Sequence, residues 1–598
     1  MDKSKFCPEY LKSANPLFFA EAKRAKSIDS LRERLSALVS RIEFDSFDDY
    51  TRFEEGSIIR VRDCATAFRS ILRKRSDDLA GFSVAKAIRD ISRKKTRPDL
   101  SPGFYAELLH MILGIQGRGP GSNLDDLHLS ESMFIGRQAA IERSRQLDTL
   151  WKGVDGFLKK YPDNIDEKFK NRRVKRRDKI LTALGGTGDD WQNWSWHIKN
   201  IIRDAEPLKR LVNLSREEED AVHSARKHGL PFGMTPYYLS LMDDEDPGAF
   251  DSAVRAQVIP PLDYIHIMSR LRSTATTSLD FMKEKDTSPC ELITRRYPSI
   301  CIMKPFNTCP QICVYCQRNW EIDDAMAKGA YAGNKKIDDA IKWIKDHPGI
   351  HDILITGGDP LAMGNTVLKN ILKKVAAINH VERIRIGSRT PVTLPMRITE
   401  KLADILASFH KAGKREVVLV THVQDLYELT DDMLQAVQRL RARGISIYNQ
   451  LVYTFFVSRR FEAAALRKKL RLIGVDPYYT FNTKGKEETL SYRVPIARLL
   501  QEQKEEARLL PGLSRTDEAV FNVPGIGKSY LRARQHRDLL SILPSGSRVY
   551  EFFPWEKNIS KTTPHSYIFE DVSILDYLQR LEKINENTGD YSTIWYYF

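Results

Sequence analysis

Three of the chain's seven cysteines lie within eight residues, in Cys309-Pro310-Gln311-Ile312-Cys313-Val314-Tyr315-Cys316, directly after the apolar run from Ile300 to Met303. Three thiolates from one short loop can each hold one iron of a 4Fe–4S cube and leave the fourth iron open to an outside ligand. A tetrahedral zinc site would need a fourth protein ligand, and neither Cys nor His occurs between Cys316 and His347. Two other stretches carry residue types suited to ligands. The run Ile353 to Thr356 ends in Gly357-Gly358-Asp359, a turn that is common at strand ends. In Asn522-Val523-Pro524-Gly525-Ile526-Gly527-Lys528, two glycines let the backbone approach a ligand closely, and the lysine amine can form a Schiff base when neutral. That stretch is also close to a phosphate loop, but the phosphate-loop pattern needs glycine where residue 522 is asparagine.

The surrounding elements must present these residues together. From about residue 299 short apolar runs, Ile300 to Met303, Ile353 to Thr356, Ile384 to Gly387, Val417 to Thr421, Ile445 to Val452 and Pro477 to Phe481, alternate with helical segments at 337–347, 367–378, 398–412, 430–442 and 460–473. Six strands with helical crossovers predict an α/β fold with a parallel sheet, either doubly wound or curled into a partial TIM-type barrel. In both, chemistry gathers at the C-terminal strand ends. The N-terminal third reads as helical, with Leu31, Leu35, Leu38, Val39 and Ile42 on one face and Phe104, Leu108, Leu109 and Ile112 on another. Gly185-Gly186-Thr187-Gly188 punctuates its end.

With 42% hydrophobic and 29% charged residues, the chain of 598 residues has a globular composition that excludes fibrous and largely disordered classes. No apolar stretch is long enough to cross a bilayer and no secretory h-region is evident, so a cytoplasmic protein without membrane contact is expected. Residues 1–188 hold 37 Lys+Arg against 27 Asp+Glu, a surplus of ten within the total of +15. The surplus peaks between Lys168 and Lys179, which reads either as a patch for phosphates or an acidic partner, or as a solvated helix face.

The cysteine triplet after the first strand and the Gly-Gly-acid turn after the next resemble the radical S-adenosylmethionine (SAM) superfamily. Trp191-x2-Trp194-x-Trp196, Thr235 to Leu241, Arg296-Tyr297-Pro298, Arg385 to Pro391, Thr421-His422, Asn449-Gln450 and Pro477-Tyr478-Tyr479 follow in the order and spacing of the lysine 2,3-aminomutase family. The match runs from about Asp189 to about Leu531. The resemblance implies a partial (β/α)6 barrel preceded by helical regions and divides the chain into a basic helical N-terminal domain of unknown role (1–188), a family-type lead-in (189–298), the barrel (299–531) and a C-terminal extension (532–598).

The same resemblance assigns roles. Cys309, Cys313 and Cys316 would ligate the 4Fe–4S cluster. Gly357, Gly358, Asp359, His422 and Gln450 would meet SAM. Lys528 would carry pyridoxal phosphate (PLP), with Arg296 and Tyr297 on its phosphate, although a further family arginine falls on Ile300. Arg318 would clamp the substrate α-carboxylate. Lysine-acting members bind the distal ammonium with two aspartates, whose positions here hold Lys484 and Asn522, with Lys486 as an alternative to Lys484. Facing a lysine ammonium with a cation and an amide is unfavourable, whereas a distal carboxylate gains a charge-assisted contact. This pair resembles the glutamate 2,3-aminomutase branch and implies interconversion of L-glutamate and β-glutamate. The rivals are an aminomutase for another amino acid, a macromolecule-modifying radical SAM enzyme docking through its basic N-terminal domain, and a non-catalytic relative. No cysteine follows Cys316, so the structural zinc of many relatives is not expected. A homo-oligomer and an electron donor such as flavodoxin or ferredoxin complete the expectation.

Overall fold

The computed structural model describes the chain except residues 1–2, 49–54, 123–133, 275–278, 484–485, 534–535 and 555–565. At its centre is a nine-stranded sheet: β1 (Ile293–Thr294), β2 (Ile300–Phe306), β3 (Asp352–Gly357), β4 (Arg383–Gly387), β5 (Glu416–Thr421), β6 (Ser446–Tyr453), β7 (Asp476–Asn482), β8 (Glu518–Val523) and β9 (Gly527–Tyr530). Neighbours in the sheet are neighbours in sequence throughout. Strands β2 to β8 are parallel, and β1 and β9 pair antiparallel at the two edges. A doubly wound sheet would reverse its strand order at a switch point. Without a reversal, crossovers of one hand curl the sheet into a barrel wall. No pairing among the described residues joins β9 to β1, so the barrel is partial.

Strands β2 to β7 fall on the six expected runs. The helices between them, Asn334–Lys345, Asn365–Ala376, Glu400–Ala407, Asp431–Arg441 and Glu462–Ile473, overlap the expected segments. The segment expected over 398–412 stops at Ala407, because the chain reverses through Gly413 at φ +71° into β5. Strand β8 is a seventh parallel strand that the periodicity does not reveal. Its run Glu518-Ala519-Val520-Phe521-Asn522-Val523 is buried on both faces and has no alternation to read.

The N-terminal third is helical and folds on the expected faces. Leu31, Leu35 and Val39 are buried along the helix Ile28–Asp48, and Phe104, Leu108, Leu109 and Ile112 along Pro102–Ile115. This layer shares one core with the C-terminal segment, a three-stranded antiparallel sheet of β10 (Arg537–Ile542), β11 (Arg548–Phe552) and β12 (Tyr567–Glu570) followed by the helix Ile574–Lys583. Arg75 forms a fork on Glu551 at 2.6 and 2.7 Å, Arg548 is bonded to the buried Glu107 at 2.9 to 3.0 Å, and His110 stacks on Trp595 at 4.7 Å.

The basic run forms the helix Glu167–Leu184, capped by the Asp166 carboxylate at its start and by Gly185 at φ +66° at its end. One side of it is buried against acidic partners within the chain, while Lys168 and Lys175 stay exposed. Arg173 pairs with Asp432 at 2.9 Å, Lys170 with Asp431 at 2.8 Å, Arg176 with Asp243 at 2.6 Å and Lys179 with Asp244 at 2.7 Å. Asp431 and Asp432 open a barrel helix, where negative side chains also suit the helix dipole. Arg176 is buried and also donates to Ser240 O at 2.8 Å. Breaking a buried pair from one side typically costs about 3–5 kcal/mol. Arg176→Met is expected near the lower end, about 3 kcal/mol, because Tyr427 still donates to Asp243. Denaturant unfolding should register the loss, and an unchanged midpoint would show that the helix does not depend on this pair.

Candidate active site

The cysteine loop leaves the C-terminal end of β2 and is tied down by main-chain bonds on both sides. Ile312 N donates to Gly233 O at 2.9 Å, Val314 N to Gln257 O at 2.8 Å and Met326 N to Cys309 O at 3.0 Å. The turn after β3 zips onto its root, with Gly358 N donating to Phe306 O and Asp359 N to Thr308 O, both at 2.8 Å. A Cβ on Gly358 would stand 2.0 Å from Thr308 O, so only glycine permits this approach. The three cysteines are free and half-buried. Cys313 Sγ accepts from Arg389 Nη1 at 2.9 Å, and Cys316 Sγ from Arg318 N at 3.4 Å. Burial pushes the thiols of Cys309 and Cys313 up, and Arg389 opposes this at Cys313. Bound iron would supply the charge that makes such buried thiolates stable. Sulfurs on one anchored loop, two of them receiving N–H donors, fit the cubane read from their spacing.

Residues assigned to SAM line the neighbouring strand ends. His422 follows β5, with Nδ1 2.6 Å from Gln450 O and Nε2 2.8 Å from the Tyr315 hydroxyl, inside the cysteine triplet. Asp359 is buried and already engaged. Its Oδ1 accepts from Ser388 Oγ at 2.7 Å and Leu361 N at 3.0 Å, and its Oδ2 from Arg389 N at 2.9 Å. Burial raises its pKa. Its carboxylate therefore braces the β4 turn. Both polar ends of buried Gln311 and the Thr421 hydroxyl have no hydrogen-bond partner among the described residues, and a polar ligand would satisfy such groups.

Lys528 lies on β9, directly across from Asn522 on β8, in a hairpin whose Gly525 (φ +67°) and Gly527 (φ +110°) need the left-handed region. Lys528 Nζ donates to Tyr297 Oη at 3.4 Å and sits over the rings of Tyr297 and Tyr479 at 5.2 and 5.9 Å. Tyr297 comes from the connection between β1 and β2, so side chains meet across the seam that the backbone leaves open. Three consecutive residues tie these parts together. Met282 O accepts from Arg296 Nη2, the Lys283 side chain lies against Gly525, and Glu284 accepts from Arg318 Nη1 at 2.5 Å. Arg318 Nη2 bonds Glu321, so both arms of the expected carboxylate clamp already hold carboxylates.

At the expected distal end, Lys484 lies outside the described residues. Lys486 is buried with its charge answered by Glu488, and Asn522 is buried with no partner for Oδ1 among the described residues. Sequence reasoning misses Lys304, whose Nζ is 3.5 Å from Glu284, and it assigns no role to Arg389 or Tyr238 although both lie in quoted motifs. Glu428, Gln257 and Glu284 have no local signal of their own.

Residues 303–457 match the Radical SAM superfamily model. The chain is 31% identical to glutamate 2,3-aminomutase of Clostridioides difficile over 54% of its length and 72% of that protein, and 34% identical to L-lysine 2,3-aminomutase of Clostridium subterminale over 52% and 70%. It is 42% identical to an uncharacterised KamA family protein of Methanocaldococcus jannaschii over 96% of this chain and 95% of that one, so the helical N-terminal and C-terminal regions are shared as well. Cysteine loop, strand order and full-length similarity agree, and the chain belongs to the KamA family of radical SAM proteins.

Proposed function

We propose that the chain is a SAM- and PLP-dependent 2,3-aminomutase whose substrate is an acidic amino acid, with glutamate as the first choice. The observation that carries this reading is the contact of Met282, Lys283 and Glu284 with Arg296, Gly525 and Arg318, which joins the lysine hairpin and the cysteine loop into one mouth. When bound, the cluster and SAM supply hydrogen-atom abstraction and PLP carries the migrating nitrogen. The chain's own part is positioning and exclusion of water. Lys528 presents its amine between two tyrosine rings, with the Tyr297 hydroxyl as its acceptor. Arg296 would offer a guanidinium to the phosphate. Arg318 would exchange Glu284 or Glu321 for the substrate α-carboxylate, so its fork is preformed.

Charge supports an acidic substrate. Lys304 and Arg318 already pair with the carboxylates of Glu284 and Glu321, and the buried Asn522, across from Lys528, brings a neutral amide where lysine-acting members bring an aspartate. Against the macromolecular rival, four basic residues of the helix Glu167–Leu184 pair with Asp243, Asp244, Asp431 and Asp432 of the chain itself.

Cys313→Ala should abolish iron binding and SAM cleavage, read by iron content and 5′-deoxyadenosine release; a protein that kept both would remove Cys313 from the cluster. Borohydride reduction of the PLP-loaded protein followed by peptide mapping should place the pyridoxyl mass on Lys528, and finding it on Lys484 or Lys486 would overturn the cofactor and substrate assignments together. Anaerobic incubation with SAM, PLP and dithionite should convert glutamate to β-glutamate and leave lysine unchanged. Removing one partner of a desolvated charge pair costs about 2–5 kcal/mol, so Lys484→Ala should lose roughly 30-fold or more in kcat/KM for glutamate. Formation of β-lysine without β-glutamate would refute the substrate choice and leave the aminomutase reading intact.

A further inference from the structure

Glu428 has no exposed surface and ends the short turn Leu426–Glu428 after β5. Its Oε1 accepts from Tyr238 Oη at 2.8 Å, from Gln257 Nε2 at 2.7 Å and from Arg389 Nη2, and its Oε2 accepts from Gln424 N at 2.7 Å. Two of these donors lead to the cysteine loop. Arg389 reaches Cys313 Sγ at 2.9 Å through its other arm. Gln257 meets the Tyr315 hydroxyl at 3.0 Å through Oε1 and the Val314 N–H at 2.8 Å through its carbonyl. A buried carboxylate must have its charge answered, and one guanidinium does so here. The guanidinium is planar, so seating Nη2 on Glu428 fixes where Nη1 points. The aminomutase reading makes no use of either residue.

We propose that Glu428 is a positioning residue that holds Arg389 against the Cys313 sulfur and thereby sets the reduction potential of the cluster. The inference rests on the reading of Cys309, Cys313 and Cys316 as cluster ligands and is independent of the substrate. A positive hydrogen-bond donor at a ligand sulfur stabilises the reduced cluster, which carries one more negative charge, and so raises the potential. The carboxylate behind the arginine acts in the opposite sense through space. Arg389 and Glu428 therefore have opposite signs, which a pair serving only to hold the fold would not.

The test is a redox titration of the cluster-loaded full chain with dithionite, followed by electron paramagnetic resonance of the reduced cluster, with iron content and melting temperature measured in parallel. Arg389→Gln should lower the midpoint potential. Glu428→Gln should raise it, since the amide oxygen still accepts from Arg389 while the negative charge is gone. Glu428→Asp keeps the charge but draws the guanidinium away from Cys313, and should lower the potential. It also keeps an acceptor for Gln424 N, so it serves where Glu428→Gln fails to fold. Shifts of the same sign in Arg389→Gln and Glu428→Gln, unchanged potentials, or loss of the cluster from all three variants would overturn the proposal. Weakened SAM binding by Arg389→Gln at an unchanged potential would do so too, by moving Arg389 from the sulfur to SAM. A wild-type chain that assembled no cluster would instead overturn the ligand reading, and the proposal with it.

Discussion

A parallel sheet that does not close leaves two edges of unpaired backbone groups, and a barrel wall must resolve them before it can do anything else. Here each edge is capped by a short antiparallel strand, β1 at one side and β9 at the other. The two caps bring the cofactor candidates with them. Arg296 and Tyr297 follow β1 and Lys528 lies on β9, so the seam that hydrogen bonding leaves open becomes the place where these side chains converge. The chain forgoes closure of the wall and gains a mouth lined from both edges. Asn522 and Lys528, facing each other across β8 and β9, owe their proximity to ladder register alone.

Around that mouth the chain answers most of its charges internally. Arg318 lies between Glu284 and Glu321, Arg389 meets Glu428, and the basic helix is moored to acidic residues of the barrel and lead-in. Pairs of this kind add little net stability compared with apolar packing, but they are strict about geometry, since removing one partner strands the other. This strictness suits a site where donors must be aimed at sulfur and at carboxylates.

Local constraints make much of the arrangement legible in the sequence. The cysteine spacing, the Gly357-Gly358 turn and the glycines before Lys528 each impose a backbone shape that few other residues allow, and the apolar runs mark β2 to β7. Three features are not legible, for physical reasons. Strand β8 is buried on both faces and has no period. The basic run has the composition of a surface patch, and only tertiary packing reveals that Asp243 and Asp432 consume it. Glu428, Gln257 and Glu284 act on the loop from distant elements and are ordinary polar residues in their own surroundings. The motif marks the Gly357-Gly358-Asp359 turn, and the bonds of the Asp359 oxygens to Ser388, Leu361 and Arg389 belong to the tertiary structure around it.

The shared core of the two chain ends has a consequence in time. Arg75 and Glu107 find Glu551 and Arg548 at sequence separations of 476 and 441 residues. At about 5–20 residues per second of synthesis, the N-terminal helices wait on the order of 20 to 90 s for the strands that cover them. During that interval Ser70 lacks Leu539, and the stacking partner of His110 does not yet exist. The first third of the chain is therefore completed late, and the nascent protein must keep an unfinished apolar layer from other chains until residues 537–598 emerge.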